Sequence, residues 1–380
     1  MRRSPQGGDP LGLYLHIPFC TSICNYCNFN RGLFDAPLKA SYVHALVEEV
    51  RAAGDGAPVD TVYFGGGTPS LLEPEEIAAL IAACGAGFDL APDAEVTLEA
   101  NPETVHAASL RGWMDAGVNR VSLGVQTLLD TELLKLGRRH SAARAREAIG
   151  LAHAAGCDFS ADLMLWLPAQ SREDCAASVA GLLDLQPTHV SFYLLELYPN
   201  APLREEMARA GWSQAPDDDA AAMYLDTLAR TDAAGYEQYE ISNVARPGKR
   251  CRHNLKYWQD GAWLGFGCGA HSTRAGRRWR NVAETRRYVD MVERGQPPTA
   301  EHRELTPGER LGDALFTGLR VVDGIDLDIM RERYGVDVMA RYGASLEPYL
   351  ESGWLLHESG RLKLTRQGML LANEVMGTFV

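Results

Sequence analysis

"LYLHIPFCTSICNYC", residues 13 to 27, runs an apolar, strand-like segment straight into three cysteines, Cys20, Cys24 and Cys27. Their spacing is C-x3-C-x2-C, and Phe29 stands two residues after the third. Four protein ligands ordinarily close a tetrahedral zinc site or an iron–sulfur cluster. A local set of three points to a metal centre with one corner left for something else. Spacing alone leaves two other readings open: a zinc site completed by a distant residue, and a set of plain buried thiols.

The apolar segment before the cysteines is the first of six similar runs. The others are "DTVYFG" from Asp60, "EVTLEA" from Glu95, "RVSLGVQ" from Arg120, "DFSADLMLWLP" from Asp158 and "HVSFYLLEL" from His189. Segments of helical patterning separate them, among them "LKASYVHALVEEVRAAG" and "SAARAREAIGLAHAAG", several ending in glycine. Strand then helix, repeated, predicts an α/β fold with a parallel sheet and right-handed crossovers. Six units are fewer than the eight of a closed barrel, so the expectation is an open, partial (β/α)6 barrel. Its site belongs at the C-terminal strand ends, where the cysteines, "GGGTPS", "EANP" and "GVQ" all fall.

After Pro199 the pattern changes. Helices, a strand-like "YEQYEIS" and an aromatic, glycine-rich section from Cys251 to His271 are read as an extension covering the barrel mouth. From about Pro307, three helical patterns and two strand-like runs around a Ser-Gly turn resemble a winged-helix module. The expected division is a barrel over 1–210, an extension with an HNxxYW motif over 211–300, and a small winged-helix-like α+β domain over 301–380.

Composition narrows the function classes. The 380 residues are 46% hydrophobic and 23% charged, and no run approaches the roughly 18 uninterrupted apolar residues of a membrane span. No apolar segment follows the arginines of "MRRSPQGGDP" as a signal peptide requires, so a cytoplasmic location is expected. Eight cysteines in such a chain read as thiols, some of them metal ligands, and not as a disulfide framework. A net charge of -13 argues against nucleic acid as a partner, because phosphate binding needs a basic face. Contact of the tail with a membrane surface and the oligomeric state are left open.

In these surroundings "LYLHIPFCTSICNYC" resembles the cluster loop of the radical S-adenosylmethionine (radical SAM) superfamily. The resemblance implies a [4Fe-4S] cluster on Cys20, Cys24 and Cys27, whose fourth iron chelates the amino and carboxylate groups of SAM. "YFGGGTPS", with Gly66, Gly67 and Thr68, is by itself a glycine turn; directly after a strand it resembles the segment that contacts the methionyl amino group. Glu99, Gln126, Arg138 and Asp162 lie at strand ends or just beyond, and each alone reads as a hydrogen-bonded rim residue. Together with Tyr14 and Tyr26 they match the SAM-binding positions of the coproporphyrinogen dehydrogenase-like subgroup. A carboxylate and an amide there suit ribose hydroxyls, and an arginine suits a carboxylate.

Within the subgroup, oxygen-independent coproporphyrinogen dehydrogenases carry a further cysteine two residues after the third and a long N-terminal substrate-contacting segment. Here Phe29 takes the cysteine position, and only about a dozen residues precede the first strand. "CRHNLKYWQ" supplies the HNxxYW signature, with "YEISNVARPG" before it and "GFGCGAHS" after it, and resembles the HemW-type haem chaperones. That resemblance implies binding of haem and its delivery to haem-accepting apoproteins. The alternative is a radical SAM enzyme, dehydrogenase-like or a methyltransferase, acting on a small organic substrate.

His253 of the signature is read either as an axial haem ligand or as a structural hydrogen-bonding residue, with Cys251, Cys268 and His271 as nearby alternatives. Cys84, Cys157 and Cys175 read as buried, inert thiols. Where the family commonly has a Gly-Leu-Pro-Gly turn, this chain has Trp166 and Ala169 at the glycine positions, which adds bulk facing or near the cofactor.

Overall fold

The six apolar runs become parallel strands in the computed structural model, which describes residues 9–380. They are β1 (Leu11–Ile17), β2 (Pro58–Gly66), β3 (Asp89–Ala100), β4 (Arg120–Gln126), β5 (Asp158–Leu165) and β6 (His189–Leu194), side by side in that order. Residues 1–8, and with them most of the segment read for a signal peptide, lie outside the described residues. Alternation along β1 shows how the sheet is built. Leu11, Leu13, Leu15 and Ile17 are buried in one core with Tyr42, Leu46 and Val50 of the helix Ala36–Ala52, while Tyr14 and His16 point to the barrel interior. Full burial of one such leucine is worth about 2 kcal/mol, and the pattern repeats from strand to strand.

Local sequence sets the helix ends. The Asp35 carboxylate accepts the Leu38 N–H at 3.1 Å, capping Ala36–Ala52, and a proline stands in the first turn. Just past its end, Gly54 lies against Gly87, the last residue of the helix Pro74–Gly87; a Cβ on Gly54 would sit 2.5 Å from the Gly87 Cα. The two crossover helices can approach this closely only because both residues lack side chains.

The section from Cys251 to His271 does not cover the mouth. After β7 (Glu237–Glu240) and β8 (Asn243–Ala245), which extend the sheet antiparallel beyond β6, the helix Arg252–Trp258 leads into β9 (Trp263–Phe266). β9 lies parallel beside β1, with Leu13 opposite Leu264, and so adds a seventh parallel strand to the six of the partial barrel. β10 (His271–Arg274), β11 (Arg277–Asn281) and β12 (Thr299–Glu304) continue outward from β9, antiparallel. The sheet remains an open barrel with β12 at one edge and β7 at the other.

The helix Arg252–Trp258 closes the end of the barrel opposite the cysteines. Glu95, near the start of the inner part of β3, accepts the backbone N–H of Arg252 at 3.0 Å and of His253 at 2.9 Å. The Lys256 ammonium reaches the Pro10 carbonyl at 2.7 Å and the Asp60 carboxylate at 2.5 Å. Pro10 immediately precedes β1, Asp60 lies near the start of β2 and Glu95 is level with Thr61 of β2, so this segment is a plug at the base. The tail forms the α+β unit expected: helices Pro307–Gly318, Leu327–Tyr334 and Val338–Glu351 pack with the small sheet β13 (Ile325–Asp326), β14 (Leu355–Glu358) and β15 (Arg361–Leu364).

Candidate functional site

A cavity of about 430 Å³ opens at the C-terminal strand ends and runs into the barrel. Its outer wall is the loop after β1. Phe19–Cys20 and Gly32–Leu33 pair as two-residue parallel strands, and the Phe34 N–H donates to the Cys20 carbonyl at 2.9 Å, so the loop is tied at both ends. The Arg31 guanidinium holds its interior by donating to the Phe29 carbonyl at 2.9 Å and to that of Cys27. All three cysteines face the cavity and are half-buried. Burial pushes the Cys20 and Cys27 thiols above their ordinary pKa, so holding them as thiolates requires a partner charge.

The surroundings fit a cluster. The Thr68 hydroxyl lies 3.6 Å from the Cys20 sulfur and Arg138 Nη1 lies 3.5 Å from the Cys24 sulfur, placing donors where cluster sulfurs are tuned. Among the described residues no three His, Cys, Asp or Glu side chains are grouped to hold one metal ion.

Behind the loop, bare backbone and a buried carboxylate face each other. Gly66 has φ 119°, and a Cβ there would lie 2.6 Å from the His16 ring; a Cβ on Gly67 would come within 3.0 Å of the Cys20 sulfur. Glu99 accepts the Gly66 N–H at 3.0 Å and the Tyr63 hydroxyl at 2.9 Å. Burial pushes its carboxyl up to about 7, against the pull of those two donors and with a small push from Asp162. Asp162, raised to about 6 by burial, takes the Ser122 hydroxyl at 3.4 Å. Arg138 donates to Asn101 Oδ1 at 2.7 Å and to the Gly124 carbonyl at 2.9 Å. Gln126 resumes the pairing, opposite Leu163, after a register shift in β4, and has φ 69° where the strand ends at the cavity wall.

The cavity gathers Cys20, Cys24, Tyr26, Cys27, Gly66, Gly67, Thr68, Glu99, Gln126, Arg138 and Asp162, and leaves out Tyr14 and His253. Tyr14 packs behind Gly65 and bonds the His16 ring at 3.1 Å. His253 sits at the base plug, 1% exposed, with Nδ1 on the Thr61 hydroxyl at 2.8 Å and Nε2 on the Tyr257 hydroxyl at 2.8 Å. Both ring nitrogens are engaged, and burial lowers its pKa to about 3, so the ring is neutral and carries no free lone pair toward any opening. In this geometry both ring nitrogens of His253 serve hydrogen bonds within the fold. Cys251 and Cys268 are also buried; His271 is exposed on β10. Cys84, Cys157 and Cys175 are buried, with pKa values pushed up by burial to about 12, 11 and 12.

Asn101 escaped the sequence reading, although it joins Arg138 to the Thr68 hydroxyl at 3.1 Å. Its signal was its place in "EANP", two residues after Glu99 at a strand end. The cavity floor, with Arg120, Ser160, His189 and Ser191, also escaped, because these residues start their strands and carry no motif. Trp166 and Ala169 take φ values of 61° and 52°, the left-handed region that explains glycine at both positions in the family pattern. Trp166 does not face the cofactor cavity: its indole N–H donates to the Ala215 carbonyl at 2.7 Å and its ring packs against the core.

Comparison with known proteins gives these residues a family. Residues 14–180 match the radical SAM superfamily model, and residues 305–371 match the HemN C-terminal domain. The chain is 35% identical over 378 residues to the haem chaperone HemW of Bacillus subtilis (strain 168), covering 97% of this chain and 98% of that one. The chain belongs to the HemW-type haem chaperones of the radical SAM superfamily. The HemW of Mycobacterium tuberculosis (strain H37Rv) is 38% identical over 99% of this chain and 96% of its own. The mitochondrial radical S-adenosyl methionine domain-containing protein 1 of Bos taurus is 36% identical over 96% and 83%. HemW-type architecture is shared with the solved coproporphyrinogen III oxidase HemN of Escherichia coli, at a TM-score of 0.86, 22% identity and coverage of 98% and 90%. That likeness is one of fold. Among the described residues no helix is long and apolar enough to cross a membrane.

Proposed function

We propose that this protein binds haem and passes it to haem-accepting apoproteins, with a [4Fe-4S] cluster on Cys20, Cys24 and Cys27 and SAM across the strand ends. The observation that carries the reading is near end-to-end similarity to curated haem chaperones, barrel, plug and tail together. The mouth is consistent with it. Ile23, Tyr193 and Tyr198 line it exposed, Leu33 and Phe34 flank the loop, and Phe29, 64% exposed, stands beside Cys27. An open apolar rim suits contact with an apolar cargo or a partner protein better than the exclusion of water that radical chemistry demands. When bound, the cluster supplies an electron to the SAM sulfonium. This chain's own part is to hold the cluster with the three thiolates and to orient SAM with Gly66, Glu99, Gln126, Arg138 and Asp162.

A second reading, a radical SAM enzyme, is favoured by the polar cavity floor of Arg120, Ser160, His189 and Ser191, which could hold a small substrate. Haem titration of the reconstituted protein, followed by transfer to an apoprotein, separates the two. Saturable binding of about one haem per chain and its transfer support the chaperone. An intact cluster with no haem binding, and SAM consumed with a modified small molecule, moves the assignment to the enzyme.

A further inference from the structure

His253 lies at the base of the barrel and Glu99 in the cavity above it, and one side chain joins them. The His253 ring stacks on Tyr63, with centroids 5.0 Å apart and planes at 26°. The Tyr63 hydroxyl donates to Glu99 Oε1 at 2.9 Å, and Glu99 Oε2 takes the Gly66 N–H at 3.0 Å. His253 is itself fixed by Thr61, two residues before Tyr63 on β2, and by Tyr257 on the plug helix. Gly12 makes room for it: a Cβ there would lie 3.1 Å from His253 Cε1. Tyr63 also has Tyr14 stacked at 6.1 Å, so its ring is held by aromatic neighbours.

We propose that His253 is a positioning residue for the cofactor end of the barrel: by stacking on Tyr63 it fixes the hydroxyl that orients the Glu99 carboxylate toward SAM. The plug helix thereby acts on the cofactor site without touching it. A side chain in the cavity with two hydrogen-bond donors on its two oxygens has one rotamer to present, and freeing one donor lets it turn. This inference rests on the reading of the cavity as the SAM site.

The test is SAM titration by calorimetry on the protein carrying its reconstituted cluster, for wild type, His253→Ala, His253→Phe, Tyr63→Phe and the double variant His253→Ala/Tyr63→Phe. His253→Ala and Tyr63→Phe are each expected to weaken SAM by about tenfold, the size of one charge-assisted hydrogen bond. The double variant is expected to lose no more than either alone, because both act through the same bond. His253→Phe keeps the stack and is expected to retain most of the affinity. The pH midpoint of SAM binding is expected to rise in His253→Ala, since the Tyr63 bond that favours ionised Glu99 is loosened; loss of fold stability alone would leave that midpoint in place. Wild-type affinity and midpoint in a folded His253→Ala, or additive losses in the double variant, would overturn the inference. Should His253→Ala not fold, His253→Leu, which fills the space without a ring to stack on Tyr63, takes its place: weaker SAM binding in it without weakening in His253→Phe supports the inference, and wild-type affinity in it overturns the inference. Failure of the wild type itself to bind SAM would remove the underlying site reading and the inference with it.

Discussion

Glu95 and His253 are joined across 158 positions of sequence by a 2.9 Å bond from the His253 backbone N–H to a carboxylate oxygen of Glu95. The same carboxylate accepts the Arg252 N–H at 3.0 Å, so one acid caps the plug helix and ties it to β3. Glu95→Ala leaves both donors without acceptors in a part-buried place, which costs about 2–3 kcal/mol. Urea unfolding is expected to show that loss; a change under 0.5 kcal/mol would mean that the plug is held by its other contacts.

The neutral state of His253 makes its contribution to stability depend on pH. Its pKa is about 3 in the folded chain and near 6.5 when exposed, so the unfolded chain takes up a proton first as pH falls. The stability that His253 contributes is full above pH 6.5 and is lost progressively below it. The gap between wild type and His253→Phe is therefore expected to narrow by about 2 kcal/mol between pH 7 and pH 4.5. Glu49 and Asp162, also perturbed, titrate alike in both proteins and cancel in the difference. A gap independent of pH would contradict the buried, neutral histidine.

Cys24 touches the Arg138 guanidinium at 3.5 Å, and its chain neighbours form a loop tied at both ends by backbone bonds. Cys24→Ala should keep the circular dichroism of the wild type while losing most of the iron and sulfide after anaerobic reconstitution. Full retention of both would exclude Cys24 as a ligand.

Ala169 holds φ 52° while its N–H donates to the Ser213 carbonyl at 2.8 Å. A left-handed alanine costs roughly 1–2 kcal/mol, more than the extra chain entropy of glycine. Ala169→Gly is thus expected to raise stability by about 0.5–1 kcal/mol, read as an upward shift of the urea midpoint. A drop would show that the turn tolerates the Cβ without strain.

Much of the barrel was legible because its strands are buried on both faces and read as continuous apolar runs: "RVSLGVQ" is β4 from Arg120 to Gln126 without a residue's difference. The cysteine loop was legible because Cys20, Cys24 and Cys27 lie close together in sequence. β9 was not, since its four residues, Trp263–Phe266, include a glycine and are followed by antiparallel strands instead of the crossover helix that would mark another repeat. Nor was the location of the plug: a short helix reads the same whether it lies over the mouth or under the base, and only pairings such as Glu95 with His253 decide it. Trp166 misled for a related reason, because a bulky residue at a strand end carries no sign of which way its left-handed backbone turns it.

Because the Arg252–Trp258 helix stoppers the base, ligands that enter the interior from the mouth must leave the way they came. A molecule seated on the rim of Phe29 and Tyr198 would then stand in the doorway of whatever lies deeper, and release becomes last in, first out. Dissociation of SAM from the complex loaded with cargo would be slowed relative to the unloaded protein, a kinetic coupling that needs no change of shape.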